Sequence, residues 1–400
     1  MSYLQDIYKY IKSGETNTQN LGLEIEHFVV DEYGNQISFD EITALIKEVG
    51  ERIGAEISYV DGHPVGYSTG TYAISIEPAC QFEISISPYS DISVIESVYR
   101  EFIALWEPVF AAKGYRIITG GVLPNVETGK ITPDDLPLSP KKRYEYMDRY
   151  FRKSGKYGRY MMRASASTQI SVDYSSEADL TRKLRVLQII SPILAIMMEN
   201  KAVEDSTLPG NPDKTHLLRL QIWDGVDPAR TGFFPGSFDD GFGYDKIAEA
   251  VYRTPLILLT DNGISVYVDD KNAEDLETEQ IIYPGEDDEE RRKNLVEHIL
   301  SMGFFHFRIK KYIEIRVADS VPIEKALRYA ALIKGIVYSE DNLTTLETEL
   351  VDIDEASKVQ EAIEAIERDG NEAVIYHGLT AAQWASHLCE LASVNWGGAQ

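Results

Sequence analysis

Glutamate side chains recur at every second position in parts of this 400-residue chain, a spacing that could build a charged surface on a sheet. In LGLEIEHFVV (21–30), Glu24 and Glu26 alternate with apolar residues, and in FEISISP (82–88) Glu83 does the same. Side chains two residues apart lie on one face of a strand. A solvated polar face would explain any single strand. Glutamate is a poor strand former, however, and neighbouring carboxylates repel each other, so the pattern favours a chemical role.

Three further polar positions extend this row of carboxylates. The stretch ISIEPACQFEISISP (74–88), which we interpret as one buried strand, adds Glu77. SASTQISVD (165–173) carries Gln169 among serines, and FFHFRIKKYIEIRVAD (304–319), also interpreted as one strand, carries Glu314. If these strands share one sheet, five glutamates would converge on one face.

Such a cluster of carboxylates is costly unless cations neutralise it. The available ligands are oxygens, because the chain has neither an HExxH motif nor a cysteine cluster. Oxygen ligation suits Mg²⁺ or Mn²⁺ better than Ca²⁺ in a site that also binds phosphates. Arg316, two residues after Glu314, is placed to meet an anion. We therefore predict a Mg²⁺–nucleotide site on the sheet face. The absence of GxxxxGK[ST] and GxGxxG motifs disfavours a P-loop or dinucleotide fold.

The elements that must position these residues indicate an α+β fold with a largely antiparallel sheet. Apolar spacing predicts helices at 40–54 and 91–113, and a long helix begins with the capping signature SSEAD at 175–179. The Gly-, Pro- and Asp-rich region 201–245 is predicted to be an ordered loop over a site, and the chain is mostly helical from 322. We predict one domain over residues 1–400, with a helical C-terminal part from about 322.

Net charge and cysteine content restrict the classes of partner that the protein could bind and indicate its compartment. A net charge of −26 argues against binding nucleic acids or anionic membranes. Two cysteines provide no disulfide framework, which fits a reducing cytoplasm, and the N-terminus does not resemble a signal peptide. The apolar run at 187–198 is too short to span a bilayer and predicts a buried helix. Nothing in the sequence indicates an oligomeric state.

In the strands that carry the polar face, the chain resembles the glutamate–cysteine ligases of the plant and bacterial type, which share the carboxylate–amine ligase fold of glutamine synthetase. The resemblance runs from about 20 to 335 in collinear segments: GLEIE (22–26), ISIEPACQFEIS (74–85), SPKKRYEYM (139–147), MRASASTQISVDYSSEADLTRKLR (162–185), IWDGVDPARTG (222–232), FDDGFGY (238–244) and KKYIEIRVAD (310–319). Their common order makes them far more specific together than any one alone.

The resemblance implies roles for individual residues. One Mg²⁺ would be held by Glu26, Glu77 and Glu83, and a second by Glu24, Gln169 and Glu314. Arg316, with Glu314, would be catalytic and would stabilise the transferring phosphoryl group. Substrate binding would fall to Arg163, Arg230, Arg143 and Tyr144, with a structural ion pair as the alternative for the first two.

The implied reaction joins the γ-carboxylate of L-glutamate to L-cysteine with ATP, through a γ-glutamyl phosphate, as the first step of glutathione-type thiol synthesis. Pro78-Ala79-Cys80 stands where relatives usually carry Pro-Gly-Gly, which leaves a different acceptor amine open. A phosphotransferase is a further alternative, since guanidino kinases share this architecture. A non-catalytic cation-binding protein is the last.

Overall fold

The computed structural model describes residues 2–261, 264–279 and 289–397. The strands are β1 Leu21–Val30, β2 Glu56–Val60, β3 His63–Ser68, β4 Tyr72–Ile76, β5 Phe82–Tyr89, β6 Arg116–Ile118, β7 Ser167–Val172, β8 Ile257–Asp261, β9 Ile264–Asp269, β10 Phe307–Ile309 and β11 Ile313–Asp319. The helices are α1 Tyr3–Lys12, α2 Phe39–Ile53, α3 Ile92–Ala111, α4 Pro124–Glu127, α5 Lys142–Ser154, α6 Gly158–Ala164, α7 Glu177–Met197, α8 Leu218–Asp224, α9 Tyr244–Arg253, α10 Ala273–Thr278, α11 Glu289–Ser301, α12 Ile323–Val337, α13 Glu340–Glu349, α14 Ala356–Asp369 and α15 Ala381–Leu391.

One antiparallel sheet organises the fold. Its strand order is β10-β11-β7-β1-β5-β4-β3-β2, and β6 pairs with the end of β1. The strands that carry the predicted polar face, β1, β5, β7 and β11, are thus neighbours, as expected from the sequence. Strands β8 and β9 form a separate hairpin. The predicted α+β class with a largely antiparallel sheet is confirmed.

Two segments interpreted as single strands are hairpins instead, which corrects the sequence analysis. Residues 74–88 contain β4 and β5, joined by a turn at 77–81, so that Glu77 lies in the turn and not on a strand. Residues 304–319 contain β10 and β11, and this hairpin places Arg308 opposite Glu314. Both turns interrupt the alternating pattern, and neither EPACQ (77–81) nor KKY (310–312) contains the Gly or Asn residues that usually signal a turn.

The apolar face of the sheet packs against helices. Leu23, Ile84, Ile170 and Ile313 are buried in one apolar cluster with side chains of α3, α7 and α12. Burying a side chain of this size contributes roughly 1.5–3 kcal/mol, so this layer is a major source of stability. Ser176 caps α7 by accepting a hydrogen bond from the Asp179 amide, which confirms the predicted cap.

A second apolar cluster lies around the other end of β1. It contains Phe28 and Met162 together with side chains of α5, α6 and α8. The first cluster extends along the chain from Tyr3 to Cys389, which supports a single domain over 1–400, although that assignment stays a prediction. The apolar run at 187–198 is buried in α7, as predicted. Within the described ranges, no helix is both long and apolar enough to cross a bilayer.

Candidate active site

A cavity of about 700 Å³ opens over the polar face of the sheet. Its floor contains predicted site residues from all four central strands and the β4–β5 turn. The predicted residues that line it are Glu24, Glu26, Glu77, Glu83, Gln169, Glu314, Arg316, Arg143 and Tyr144. The structure therefore brings together every predicted metal-binding and catalytic residue.

Strand register explains why these side chains meet. Glu26 lies opposite Glu83 on β5, and Glu24 lies opposite Gln169 on β7. Directly opposed side chains on antiparallel strands have Cβ atoms about 4.5–5.5 Å apart. The Gln169 amide donates to Glu26 Oε1 at 3.3 Å, and the Ser167 backbone amide donates to Glu26 Oε2 at 2.7 Å. The carboxyl groups of Glu26 and Glu83 are therefore held side by side, and their mutual repulsion destabilises the sheet unless a cation or a proton neutralises it.

Burial and mutual repulsion disfavour the ionised form of three of these carboxyls. Burial, and then the charges of Glu24, Glu77 and Glu26, raises the pKa of Glu83 well above its ordinary value. Burial and Glu77 raise the pKa of Glu26 to about 7, and burial and Glu314 raise that of Glu24. The protein partners of the Glu83 carboxylate are the hydroxyls of Ser75 and Ser85, which carry no charge. A bound cation would relieve this repulsion.

Glu314 differs from these carboxyls because cations surround it. Arg308 pairs with both carboxylate oxygens, one of them at 2.9 Å from Nη2, while Lys310 Nζ lies 3.7 Å and Arg316 Nη1 3.4 Å from the carboxylate. Although burial opposes it, the charges of Arg308, Lys310 and Arg316 together hold the pKa of Glu314 well below its usual range. Three cations against one carboxylate leave this wall of the cavity with excess positive charge.

Arg316 connects the cationic wall to the floor of the cavity. Its Nη1 donates to Gln169 Oε1 at 2.6 Å, and its guanidinium carbon lies 5.3 Å from the Trp223 ring centroid. Gln169 thus accepts from Arg316 with its oxygen and donates toward Glu26 with its nitrogen. In this arrangement the oxygens of Gln169 and Glu314, predicted as ligands of the second metal, already accept hydrogen bonds from arginines.

The turn that carries Glu77 is held from three directions. The Gln81 side chain accepts from the Ala79 amide at 2.9 Å and donates to the Ser165 carbonyl at 3.0 Å. Lys141 Nζ donates to the Ile76 carbonyl at 3.1 Å. Cys80 is buried and adopts a φ of 66°. Its Sγ lies 3.8 Å from Ser139 Oγ, so the thiol faces Ser139 and does not line the cavity.

The predicted substrate-binding residues fall into two groups. Arg143 and Tyr144, at the start of α5, line the cavity. Arg163 and Arg230 are buried outside the lining. The Arg163 guanidinium lies 2.5 Å from the Asp148 carboxylate.

Arg230 is fully buried. Its Nε donates to Asp227 at 2.7 Å, and its guanidinium lies among the rings of Tyr150, Phe151 and Phe304. For Arg163 and Arg230 the geometry favours structural ion pairs, and their substrate role stays an untested prediction.

Sequence reasoning missed several residues of the cavity. Arg308 and Lys310 received no role from the sequence, although both stand at even spacings before Glu314 and Arg316 in FFHFRIKKYIEIRVAD, which was a signal. The tip of the β2–β3 hairpin contributes Tyr59, Val60 and Asp61, and the β8–β9 hairpin contributes Thr260 and Ser265. His306, two residues before Arg308, is buried, and its Nε2 pairs with Asp224 at 2.6 Å.

The donor set suits a divalent cation, but its present arrangement is not a formed metal site. In the part of the chain that the structure describes, no three His, Cys, Asp or Glu side chains are arranged to hold one ion. Glu26, Glu77 and Glu83 nevertheless offer carboxylate oxygens, which hard cations prefer, on one cavity surface. Glu26 and Glu83 already stand opposite each other in the strand register, so two of these carboxylates come from facing positions.

Comparisons with known proteins agree with the resemblance found in the sequence. The chain is 28% identical over 351 residues to the chloroplastic glutamate–cysteine ligase of Brassica juncea, covering 86% of this chain and 65% of that protein. It is 27% identical to glutamate–cysteine ligase B of Oryza sativa subsp. japonica, again over 86% of this chain and 67% of the relative. The chain thus spans about two thirds of the length of these relatives.

A solved structure supports the fold. The glutamate–cysteine ligase of Francisella tularensis, solved in complex with AMP, superposes with a TM-score of 0.51 at 15% identity, covering 94% of this chain and 78% of that one. At this identity the likeness concerns the fold alone. The family model described as glutamate–cysteine ligase family 2 matches residues 20–387, almost the entire chain. The chain therefore belongs to glutamate–cysteine ligase family 2.

Proposed function

We propose that the protein is an ATP-dependent ligase that joins the γ-carboxylate of L-glutamate to the amine of L-cysteine, forming γ-glutamylcysteine, ADP and phosphate. This reaction would be the first step of glutathione-type thiol synthesis. The observation that carries the proposal is one cavity in which a carboxylate floor meets a wall with excess positive charge. The family membership and the relatives named glutamate–cysteine ligase support the choice of substrates.

The reaction brings two anions together, and the cavity provides charges for both. A γ-carboxylate oxygen of glutamate attacks the γ-phosphorus of ATP, the bond to the β-phosphate oxygen breaks, and ADP leaves. Arg316, Arg308 and Lys310 line the cavity and would offset the charge on the phosphates during this transfer. Arg316 is the candidate for the transferring group, because its guanidinium reaches the floor at Gln169.

Amide formation completes the reaction. The amine nitrogen of the acceptor attacks the carbonyl carbon of the γ-glutamyl phosphate, the bond to the phosphate oxygen breaks, and phosphate leaves. The nitrogen then loses a proton. Arg143 and Tyr144, at the start of α5, also line the cavity, and we assign them to binding substrate. Arg163 and Arg230 would act by supporting the wall behind the substrates.

We further propose that two Mg²⁺ ions, or Mn²⁺, assist this reaction. Glu26, Glu77 and Glu83 would hold one ion, and Glu24, Gln169 and Glu314 a second. Such ions neutralise phosphate charge and polarise the transferring group. The first set is supported by its lack of cationic partners within 4 Å among the described residues. In the second set, Arg308 and Arg316 would have to yield part of their contacts to Glu314 and Gln169.

The acceptor amine is the least constrained part of the proposal. A γ-glutamyl ligase with another acceptor is the second candidate: Pro78, in the turn after Glu77, lines the cavity, whereas the Cys80 thiol faces Ser139 and does not. The cytoplasm stays the proposed location, on the strength of the two cysteines, although the relatives named here are chloroplastic.

Product analysis tests the proposed function directly. Purified protein would be incubated with Mg²⁺, ATP, L-glutamate and a panel of amines that includes L-cysteine, and the products identified by mass spectrometry. We expect γ-glutamylcysteine as the dominant product, with ADP release that depends on both the amine and the metal. A different γ-glutamyl amide would reassign the acceptor. ADP release without any amide would favour a phosphotransferase, and no ATP turnover would refute the catalytic proposal.

Metal binding requires a readout that does not depend on turnover. Titration of the ligand-free protein with Mn²⁺, followed by calorimetry and electron paramagnetic resonance, should show saturable binding. Glu83→Gln should weaken that binding at least 10-fold, since it removes one charged ligand. Glu101→Gln, on the exposed surface of α3, is the matched control and should bind Mn²⁺ like the wild type. Equal binding by all three proteins would contradict the assignment.

A further inference from the structure

A β-bulge shapes the part of β11 that carries Arg316. Ile315 pairs with Ile170, but the next pair joins Ala318 to Thr168, so β11 has one more residue than β7 over this interval. The Arg316 amide still donates to the His306 carbonyl at 3.0 Å. Bulges change the direction of a side chain and leave a backbone group without a partner in the ladder. Here the bulge lies at the residue expected to contact the transferring group.

The backbone carbonyl at the bulge is satisfied by a side chain from another element. Nη1 of Arg219, near the start of α8, donates to the Arg316 carbonyl oxygen at 2.9 Å. Arg219 is only 2% exposed and is absent from the cavity lining. Burying a guanidinium costs free energy, and the hydrogen bond to the bulge together with nearby opposite charges offsets part of that cost.

Two buried carboxylates compensate the charge of Arg219. Glu26 on the cavity floor and Asp319 at the end of β11 are the acidic groups whose charges act on it most strongly. The Trp223 ring, one turn later on α8, lies close to both guanidinium groups: its centroid is 5.4 Å from the Arg219 guanidinium carbon and 5.3 Å from that of Arg316. Arg219 therefore contacts the backbone of Arg316 directly and shares an aromatic ring with its side chain.

We propose that Arg219 is a positioning residue, which fixes the bulge of β11 and thereby aims the Arg316 guanidinium into the cavity, with Trp223 as the surface against which both guanidinium groups pack. Arg219 acts through Arg316 and does not touch substrate. The catalytic part of this inference rests on the proposed function, and the structural part does not.

Kinetics of Arg219→Lys and Trp223→Phe separate positioning from a general structural role. Arg219→Lys keeps a positive charge but loses the planar fork that reaches the carbonyl. We expect kcat to fall by up to about 10²-fold, the size of effect that a displacement of about 1 Å in an active site produces, with KM for ATP changed less than about 3-fold. Trp223→Phe, which retains an aromatic ring, should lower kcat less and serves as the variant that is expected to fold in any case.

A double-mutant cycle shows whether Arg219 acts through Arg316. In an Arg316→Ala background, Arg219→Lys should lower kcat by less than about 2-fold further, because the group that it positions is gone. Multiplicative losses would refute the inference. The matched control is Arg185→Lys: Arg185 also donates to a backbone carbonyl, that of Phe238 at 3.0 Å, and lies 4.4 Å from an aromatic centroid, but it is remote from the cavity. Its kcat should equal that of the wild type.

Crystal structures test the structural part even if no ligase product forms. In Arg219→Lys the Arg316 guanidinium should leave Gln169 Oε1, from which it is 2.6 Å in the wild type, or show more than one position. In Arg185→Lys this contact should persist. If Arg316 keeps a single position in contact with Gln169 in Arg219→Lys, the positioning role is refuted whatever the activity. If it moves while the wild type makes no amide, the proposed function fails and the positioning role stands.

Discussion

Replacing Glu314 by glutamine should destabilise the protein as well as inactivate it. Glu314 is fully buried and is the carboxylate nearest to Arg308, Lys310 and Arg316. Glutamine has nearly the same volume, so the change removes one charge and little packing. It also turns one acceptor oxygen into an amide donor that faces other donors. The cations remain buried and lose their counterion.

The size of the effect follows from that burial. Breaking a buried ion pair by removing one partner costs about 3–5 kcal/mol, because an uncompensated charge is left inside the protein. An exposed pair provides the scale for comparison: Lys47 and Glu51 lie 3.8 Å apart with side chains 51% and 61% exposed. Glu51→Gln should therefore cost about 0.5 kcal/mol or less. The two substitutions are chemically identical and differ in their surroundings.

Urea denaturation of the ligand-free protein at pH 7, followed by circular dichroism, measures both values. We also expect Arg308→Met combined with Glu314→Gln to be less destabilising than the sum of the single changes, since the second change removes the main uncompensated charge. The reasoning is refuted if Glu314→Gln costs no more than Glu51→Gln, or if the double variant shows simple additivity. Turnover should be abolished in Glu314→Gln and unchanged in Glu51→Gln.

Three other outcomes are expected. Because the folded pKa of Glu26 is about 7 and a glutamate in the unfolded chain titrates near 4.3, the folded state binds more protons between these values. Glu26 alone should therefore lower stability in EDTA by about 3 kcal/mol as pH rises across this interval, and the raised pKa values of Glu24 and Glu83 act in the same direction. Glu26→Gln should flatten that slope in urea denaturation, and an unchanged slope would contradict the assignment. Arg316→Ala should lower kcat by roughly 10²-fold or more, whereas a change in KM alone would indicate uniform binding. Arg230→Met should cost about 3–5 kcal/mol of unfolding free energy by leaving Asp227 unpaired, and a raised KM for glutamate at unchanged stability would instead support its predicted role in substrate binding.

Alternation along the strands was sufficient to predict the shared polar face, because side-chain direction in a strand follows from local geometry alone. Glu24, Glu26, Glu83 and Gln169 could therefore be grouped from the sequence. Glu77 was also grouped correctly but for the wrong reason, since it reaches the cavity from a turn. The sequence stretch Pro78-Ala79-Cys80 was the available signal for that turn, although Cys80 occupies a conformation that usually favours glycine.

Charge partners were harder to predict, because they depend on which segments meet. The β10–β11 turn at 310–312 contains two lysines and a tyrosine, so nothing marked it as a hairpin, and the pairing of Arg308 with Glu314 could not be seen. The partner of Arg230 was easier to predict, because Asp227 precedes it by only three residues in DPAR. The hairpins that border the cavity mouth contribute ordinary residues, such as Tyr59 and Thr260, whose positions follow only from the tertiary fold.

The order of strands in the central sheet has a consequence for synthesis of the chain. Strand β1 is made early, yet its neighbour β7 begins at Ser167, and β11, which carries Glu314, begins only at Ile313. Glu24 and Glu314 are 290 positions apart, so at about 5–20 residues per second the ribosome needs roughly 15–60 s to produce both. Until then the edge of β7 has no partner and is open to pairing with other chains. The cationic wall is thus among the last parts of the cavity to be assembled, and nascent chains that stop before 313 expose the edge of β7 with which β11 later pairs.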